Sequence, residues 1–132
     1  MIDKREKAYQ EFGVFLTRFI TDLNHLSEGG WSLLVEGKRD ETALRVLGFQ
    51  GHLVSVSALG RSGIEAFGTS DRVIILTDLD REGAVLAARF TKRLSHEGLR
   101  TSLVERRRLK RASKGVFLHI ENLSRFAEPS AI

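Results

Sequence analysis

Two short acidic motifs, each at the end of an apolar run, constrain this chain more than any other feature. Leu33-Leu34-Val35 runs into Glu36-Gly37-Lys38-Arg39-Asp40, and Val73-Ile74-Ile75-Leu76-Thr77 runs into Asp78-Leu79-Asp80-Arg81-Glu82-Gly83. Such runs read as strands buried on both faces, the pattern of a parallel sheet. Carboxylates at their C-terminal ends stand where open α/β sheets place ligands. If the two strands are neighbours, Glu36, Asp78 and Asp80 converge. Three carboxylates at one edge repel each other unless a hard cation lies among them, and Mg²⁺ is the usual one, with Mn²⁺ able to substitute.

The rest of the chain alternates in a way that suits such a sheet. Lys4 to about Leu26 has helical periodicity, with Tyr9, Phe12, Leu16, Phe19, Leu23 and Leu26 building one apolar stripe that Glu28-Gly29-Gly30 ends. Trp31 to Val35 is the first expected strand, followed by a helix through Leu47 for which Asp40 is the expected N-cap. Leu53 to Ser57 reads as a second strand, Leu59 to Gly63 as a glycine-containing turn, and Ile64 to Phe67 as a short helix. Arg72 to Thr77 is the third strand, Arg81 to Glu97 a longer helix, and Thr101 to Val104 a fourth strand. Val116 to Ile120 reads as a fifth strand and Asn122 to Phe126 as a closing helical turn. This βαβα order predicts an α/β, Rossmann-like fold. Its mostly parallel sheet has four or five strands, flanked by helices, with an extra helix at the N-terminus. The expected organisation is one domain: a helical extension over 1–30, a core over 31–104, and a basic segment with a C-terminal strand and helix over 105–132.

The motifs resemble the Toprim domain, which is shared by topoisomerases, bacterial-type primases, OLD-family nucleases, recombination mediators and a ribosomal-RNA maturation nuclease. Glu36-Gly37 after the first strand and Asp78-Leu79-Asp80 after a later one match its two marks in order. Asp80-Arg81-Glu82-Gly83 is most similar to the type IA topoisomerase version, and Val35 to Asp40 to the primase and maturation-nuclease version. The resemblance spans about Trp31 to Val104. It implies that Asp78 and Asp80 hold Mg²⁺, and that Glu36 transfers a proton or shares the metal. Lys38, Asp40 and Arg81 then flank the site as phosphate-binding or supporting residues. Asp40 reads first as a cap, and Lys38, Arg39 and Arg81 each serve equally as phosphate-holding cations or as counter-charges to the neighbouring carboxylates.

Charge location points to the partner. Of 21 basic and 17 acidic residues, the stretch Glu105 to Lys114 holds six and one, leaving 15 and 16 elsewhere. The excess positive charge, carried by Arg106, Arg107, Arg108, Lys110, Arg111 and Lys114, is local enough to attract a phosphate backbone. A solvated face pairing with scattered acids is the plainer alternative. Without cysteine the chain has no disulfide, thiolate zinc site or cysteine nucleophile. The charged start Met1 to Glu6 reads as no signal peptide, and no run reaches the roughly 20 apolar residues of a membrane span, so a cytoplasmic protein is expected. His25, His52, His96 and His119 lack zinc-type spacing, Tyr9 sits in an apolar stripe as a packing residue rather than a nucleophile, and Gly60 and Gly63 suit a turn.

The expected function is Mg²⁺-dependent phosphodiester chemistry on RNA or DNA, most readily as a nuclease. The alternative is a non-catalytic nucleic-acid-binding or assembly module, docking on a ribonucleoprotein or a replication or repair partner. A monomer is favoured, with a homodimer through the N-terminal helix as the other arrangement.

Overall fold

The computed structural model describes residues 3–127. Helix α1 spans Lys4–Glu28, opened by Asp3, whose carboxylate accepts the Glu6 N–H at 2.9 Å. It ends at Gly29, and Gly30 follows with φ 101°, a left-handed turn that suits glycine and feeds strand β1, Trp31–Val35. Helix α2 is Lys38–Val46 and strand β2 is Leu53–Ser55. Helix α3 is Val56–Ser62, continued by a 3₁₀ turn over Gly63–Phe67. Strand β3 is Arg72–Ile75, helix α4 Arg81–His96, strand β4 Arg100–Ser102 and helix α5 Val104–Ser113, with a closing 3₁₀ segment over Ile120–Phe126.

The four strands form one parallel sheet in the order β2-β1-β3-β4. The chain leaves β1 toward one side to make β2, then crosses back to make β3 on the other side. The gap between β1 and β3 is therefore the topological switch point, where neighbouring connections diverge and leave a crevice at the C-terminal strand ends. Alternate side chains of these strands enter two cores. Leu33, Val35, Ile74 and Leu76 pack with Phe12, Leu16, Phe19 and Leu23 of α1 and Leu109 of α5. Leu34, Val54, Val73 and Ile75 pack with Leu59 of α3 and Ala87, Phe90 and Leu94 of α4. The amphipathic stripe of α1 is thus consumed within the chain, except that Tyr9 is 44% exposed and Leu26 only partly buried. At about 1.5–3 kcal/mol for each fully buried large side chain, this stripe is a major part of the core.

Several sequence expectations need correction. Gly37, not Asp40, is the N-cap of α2; Asp40 lies at the third helical position and its carboxylate reaches back to the Gly37 N–H at 3.0 Å. The second strand stops at Ser55, because the Ser55 hydroxyl caps α3 by accepting the Ala58 N–H. Leu59 to Ser62 are accordingly helical rather than a turn. Val116 to Ile120 forms no fifth strand. Lys114 (φ 52°) and Gly115 (φ 79°) turn the chain out of α5, and the segment then meets the loop beyond β3 through single bonds rather than a ladder. No helix among the described residues is long and apolar enough to cross a membrane.

Candidate metal centre

The site grows out of the end of β3. Leu76 still bonds to β1, its N–H donating to the Leu34 carbonyl, after which the chain leaves the sheet and α4 begins at Arg81. Asp80 is the α4 N-cap, with its Oδ1 accepting the Gly83 N–H at 2.7 Å. Gly83 is required by close approach: a Cβ there would overlap the Asp78 carbonyl. The buried Thr77 hydroxyl completes the turn by donating to the Gly83 carbonyl at 2.7 Å.

β1 ends beside this loop and delivers Glu36, whose Oε2 accepts the Asp78 N–H at 2.7 Å. Glu36, Asp78 and Asp80 therefore do gather at the switch point. The tightest convergence of metal-ligating atoms among the described residues is nevertheless Asp78, Asp80 and His119, which lie within 4.8 Å of one another. His119 Nδ1 is 3.4 Å from Asp78 Oδ2 and 3.7 Å from Asp80 Oδ2. The histidine comes from the C-terminal segment. That segment is held to the loop by the Leu79 N–H on the Leu118 carbonyl and the Ile120 N–H on Asp78 Oδ1 at 2.8 Å.

Arg106 reaches the same loop from α5. It is 7% exposed and donates to the Asp78 carbonyl at 2.6 Å and, more weakly, to the Asp80 carbonyl at 3.5 Å, while its Nε is buried without a partner. Burial lowers its guanidinium from the ordinary value against the opposing charges of Asp80, Glu36 and Asp78, and an arginine remains a cation there. Burial also raises the Glu36 carboxyl, helped by the charges of Asp78, Asp40 and Asp80 and opposed by the Asp78 N–H bond. Asp40 is raised mainly by burial too, with Asp78 and Glu121 adding to it. The hydrogen bond to Asp78 raises His119.

The remaining candidates divide. Lys38 and Arg39 lie on the first turn of α2, lining with Glu121 and Asn122 an open cavity of about 680 Å³, and Arg39 makes only a 4.0 Å pair with Glu121. Arg81 is exposed on the first turn of α4. Of the six cations on the basic segment, Arg106 turns into the site. Arg108 is 3.1 Å from Asp22 and lies over the Phe15 and Phe19 rings. Arg107, Lys110, Arg111 and Lys114 remain exposed, at spacings that place them on one face of α5 and its C-cap. Sequence reasoning missed His119 and misassigned Arg106. Neither carried a local signal, since His119 lies in an apolar stretch and Arg106 is one of four arginines in a short basic run.

No protein-family model matches the chain. A UPF0292 protein of Thermococcus gammatolerans is 37% identical over 107 residues, covering 80% of each chain, and one of Pyrococcus horikoshii is 36% identical over 107 residues, covering 80% and 81%. One from Methanosarcina barkeri is 30% identical over 110 residues, covering 82% and 77%. Among solved structures, a putative protein from Aquifex aeolicus superposes with a TM-score of 0.66 at 29% identity, covering 80% of this chain and 95% of its own. Similarity at this level over most of both lengths places the chain in the UPF0292 family.

Proposed function

We propose that this UPF0292 protein is a Toprim-like, divalent-metal-dependent protein of the cytoplasm that acts on the phosphodiester backbone of RNA or DNA as a nuclease. One observation carries the reading: Glu36, Asp78 and Asp80 meet at the C-terminal edge of the adjacent strands β1 and β3, with the Glu36 carboxylate 2.7 Å from the Asp78 backbone nitrogen. The donor set fits a metal. Each aspartate has its Oδ1 bound by a backbone N–H and turns its Oδ2 toward His119, and the acids gathered here outnumber the buried cation Arg106. Asp78 and Asp80 would hold the ion, Mg²⁺ in the Toprim resemblance, which supplies Lewis-acid polarisation of a phosphoryl oxygen.

The chain's own residues do the rest. Glu36, half-buried beside the aspartates, is placed to take or return a proton at its free carboxylate oxygen. The N-termini of α2 and α4 open at the same edge, and their Lys38, Arg39 and Arg81 offer cations to a phosphate. The exposed face of Arg107, Lys110, Arg111 and Lys114 supplies a sequence-independent footprint for the flanking backbone.

The test is cleavage of labelled structured RNA and single-stranded DNA over a Mg²⁺ and Mn²⁺ titration. Metal-dependent cleavage that disappears in Glu36→Gln supports the nuclease. Metal-dependent binding without cleavage would instead assign a non-catalytic nucleic-acid-binding or assembly module, and neither binding nor cleavage would sink the proposal.

A further inference from the structure

The C-terminal segment is placed with more care than chain closure requires. Phe117 stacks on Phe12 at 5.0 Å between centroids, Phe126 stacks on Tyr9 at 4.3 Å, and the two phenylalanines meet edge to face at 5.0 Å. Helix α1 thus anchors the strap on both sides of His119. The strap in turn grips the acidic loop through Leu118 and Ile120, which sets the half-exposed His119 ring beside two carboxylates.

Both carboxylates are pre-aimed at that ring. Asp78 spends Oδ1 on the Ile120 N–H and Asp80 spends Oδ1 on the Gly83 N–H. The oxygens facing His119 Nδ1, at 3.4 and 3.7 Å, are in each case the other one. Adjacent donors bound about 2.1 Å from a common ion lie about 3 to 3.5 Å apart, so the 3.4 Å spacing falls in that range and the 3.7 Å one just beyond it, and a small inward shift of the side chains would bring all three onto one cation. Backbone bonds that orient ligands from outside the coordination shell are a recurrent feature of built metal sites. The buried Arg106 guanidinium donates to the loop's carbonyls at Asp78 and Asp80.

We infer that His119 is a ligand of this centre, making it a two-aspartate, one-histidine site that takes a first-row transition dication in preference to Mg²⁺. Mg²⁺ holds oxygen donors and water and dehydrates reluctantly, whereas imidazole nitrogen favours transition ions. Mn²⁺ is the weakest binder of the first-row divalent series, so its preference over Mg²⁺ is a stringent comparison. The inference rests on the metal reading proposed above and is independent of whether the protein cleaves anything.

The experiment uses the full chain, with Mn²⁺ and Mg²⁺ binding followed by calorimetry and bound Mn²⁺ examined by pulsed electron paramagnetic resonance. Wild type should carry ¹⁴N modulation from one imidazole. His119→Ala, at an exposed position that leaves the core untouched, should lose the modulation and about tenfold or more in Mn²⁺ affinity, with Mg²⁺ affinity changed far less. His119→Asp, restoring an oxygen donor, should bring Mg²⁺ binding up relative to Mn²⁺. Phe117→Ala, which loosens the strap without touching the cluster, should weaken Mn²⁺ binding partially. Mn²⁺ binding that needs Asp78 and Asp80 but has no ¹⁴N modulation would overturn the histidine ligand and leave the metal centre standing. Equal loss of both metals in His119→Ala would do the same. Mg²⁺ binding without Mn²⁺ binding by wild type would overturn the histidine ligand alone, and binding of neither metal would overturn both.

Discussion

Gly83→Ala should destabilise this protein although alanine is the better helix former. In an unobstructed helix the change gains up to about 1 kcal/mol through propensity and a stiffer unfolded chain. At Gly83 the added Cβ would fall inside the Asp78 carbonyl oxygen, far closer than the 3.4 Å at which ordinary contact begins, and the obstacle is backbone rather than a flexible side-chain end. The first turn of α4 must then lift away from the loop beyond β3. Lifting it weakens the Asp80 cap on Gly83, worth about 0.5–2 kcal/mol, and the buried Thr77 to Gly83 bond, worth about 1 kcal/mol. Overpacking strain adds about 1–3 kcal/mol. Against the propensity gain, the net loss should be about 1.5–5 kcal/mol, read as a lower urea midpoint at unchanged slope and a fall of roughly 6 to 20 °C in Tm. Because Asp80 is displaced with the turn, Mn²⁺ affinity should fall in the same variant. Gly60→Ala is the control: in α3, exposed, with nothing within 4 Å of the added atom, it should be neutral or slightly stabilising. Wild-type stability and metal affinity in Gly83→Ala would refute the close-approach account of this glycine.

Neutralising Arg107, Lys110 and Arg111 should weaken RNA or DNA binding across sequences and reduce the log–log salt slope by roughly 0.7 to 0.9 for each phosphate left without its cation. Arg108→Ala should leave that slope alone and cost about 1–2 kcal/mol, from a solvent-open pair with Asp22 and the guanidinium's contact with the Phe15 and Phe19 rings. Asp40→Asn keeps an acceptor for the Gly37 N–H while removing a charge whose ionisation the fold disfavours. Because the folded-state value is raised, wild type loses stability as pH climbs from the ordinary aspartate value through the raised one. The variant should therefore gain on wild type in urea melts at pH 7 and not at pH 3. Phe19→Lys buries a charge in the core between α1 and the sheet, so it should unfold the chain rather than release folded monomers, and the intact chain should sediment as a concentration-independent monomer.

Local units and part of the chemistry were already written in the order of the amino acids. Apolar runs ending in Glu36 and Asp78 specified buried parallel strands, because only a strand covered on both faces tolerates continuous Leu, Ile and Val. The stripe from Phe12 to Leu23 specified a helix that had to be covered, since its period matches 3.6 residues. The Asp78-Leu79-Asp80 spacing placed two carboxylates together at the end of the third strand. Local rules failed where a single side chain outcompeted a pattern: the Ser55 hydroxyl turned strand-like Val56 into a helix, and a left-handed turn at Lys114 and Gly115 carried Val116 to Ile120 off the sheet. The strand order that puts β1 beside β3, and with it the meeting of Glu36 and Asp78, arose only in three dimensions. So did the burial of one arginine of a basic run under the acidic loop, and the placing of His119 against two aspartates across it. Those encounters depend on which distant segments pack together to bury the aromatic side chains of α1, a long-range free-energy choice that leaves no periodicity in the residues it brings into contact.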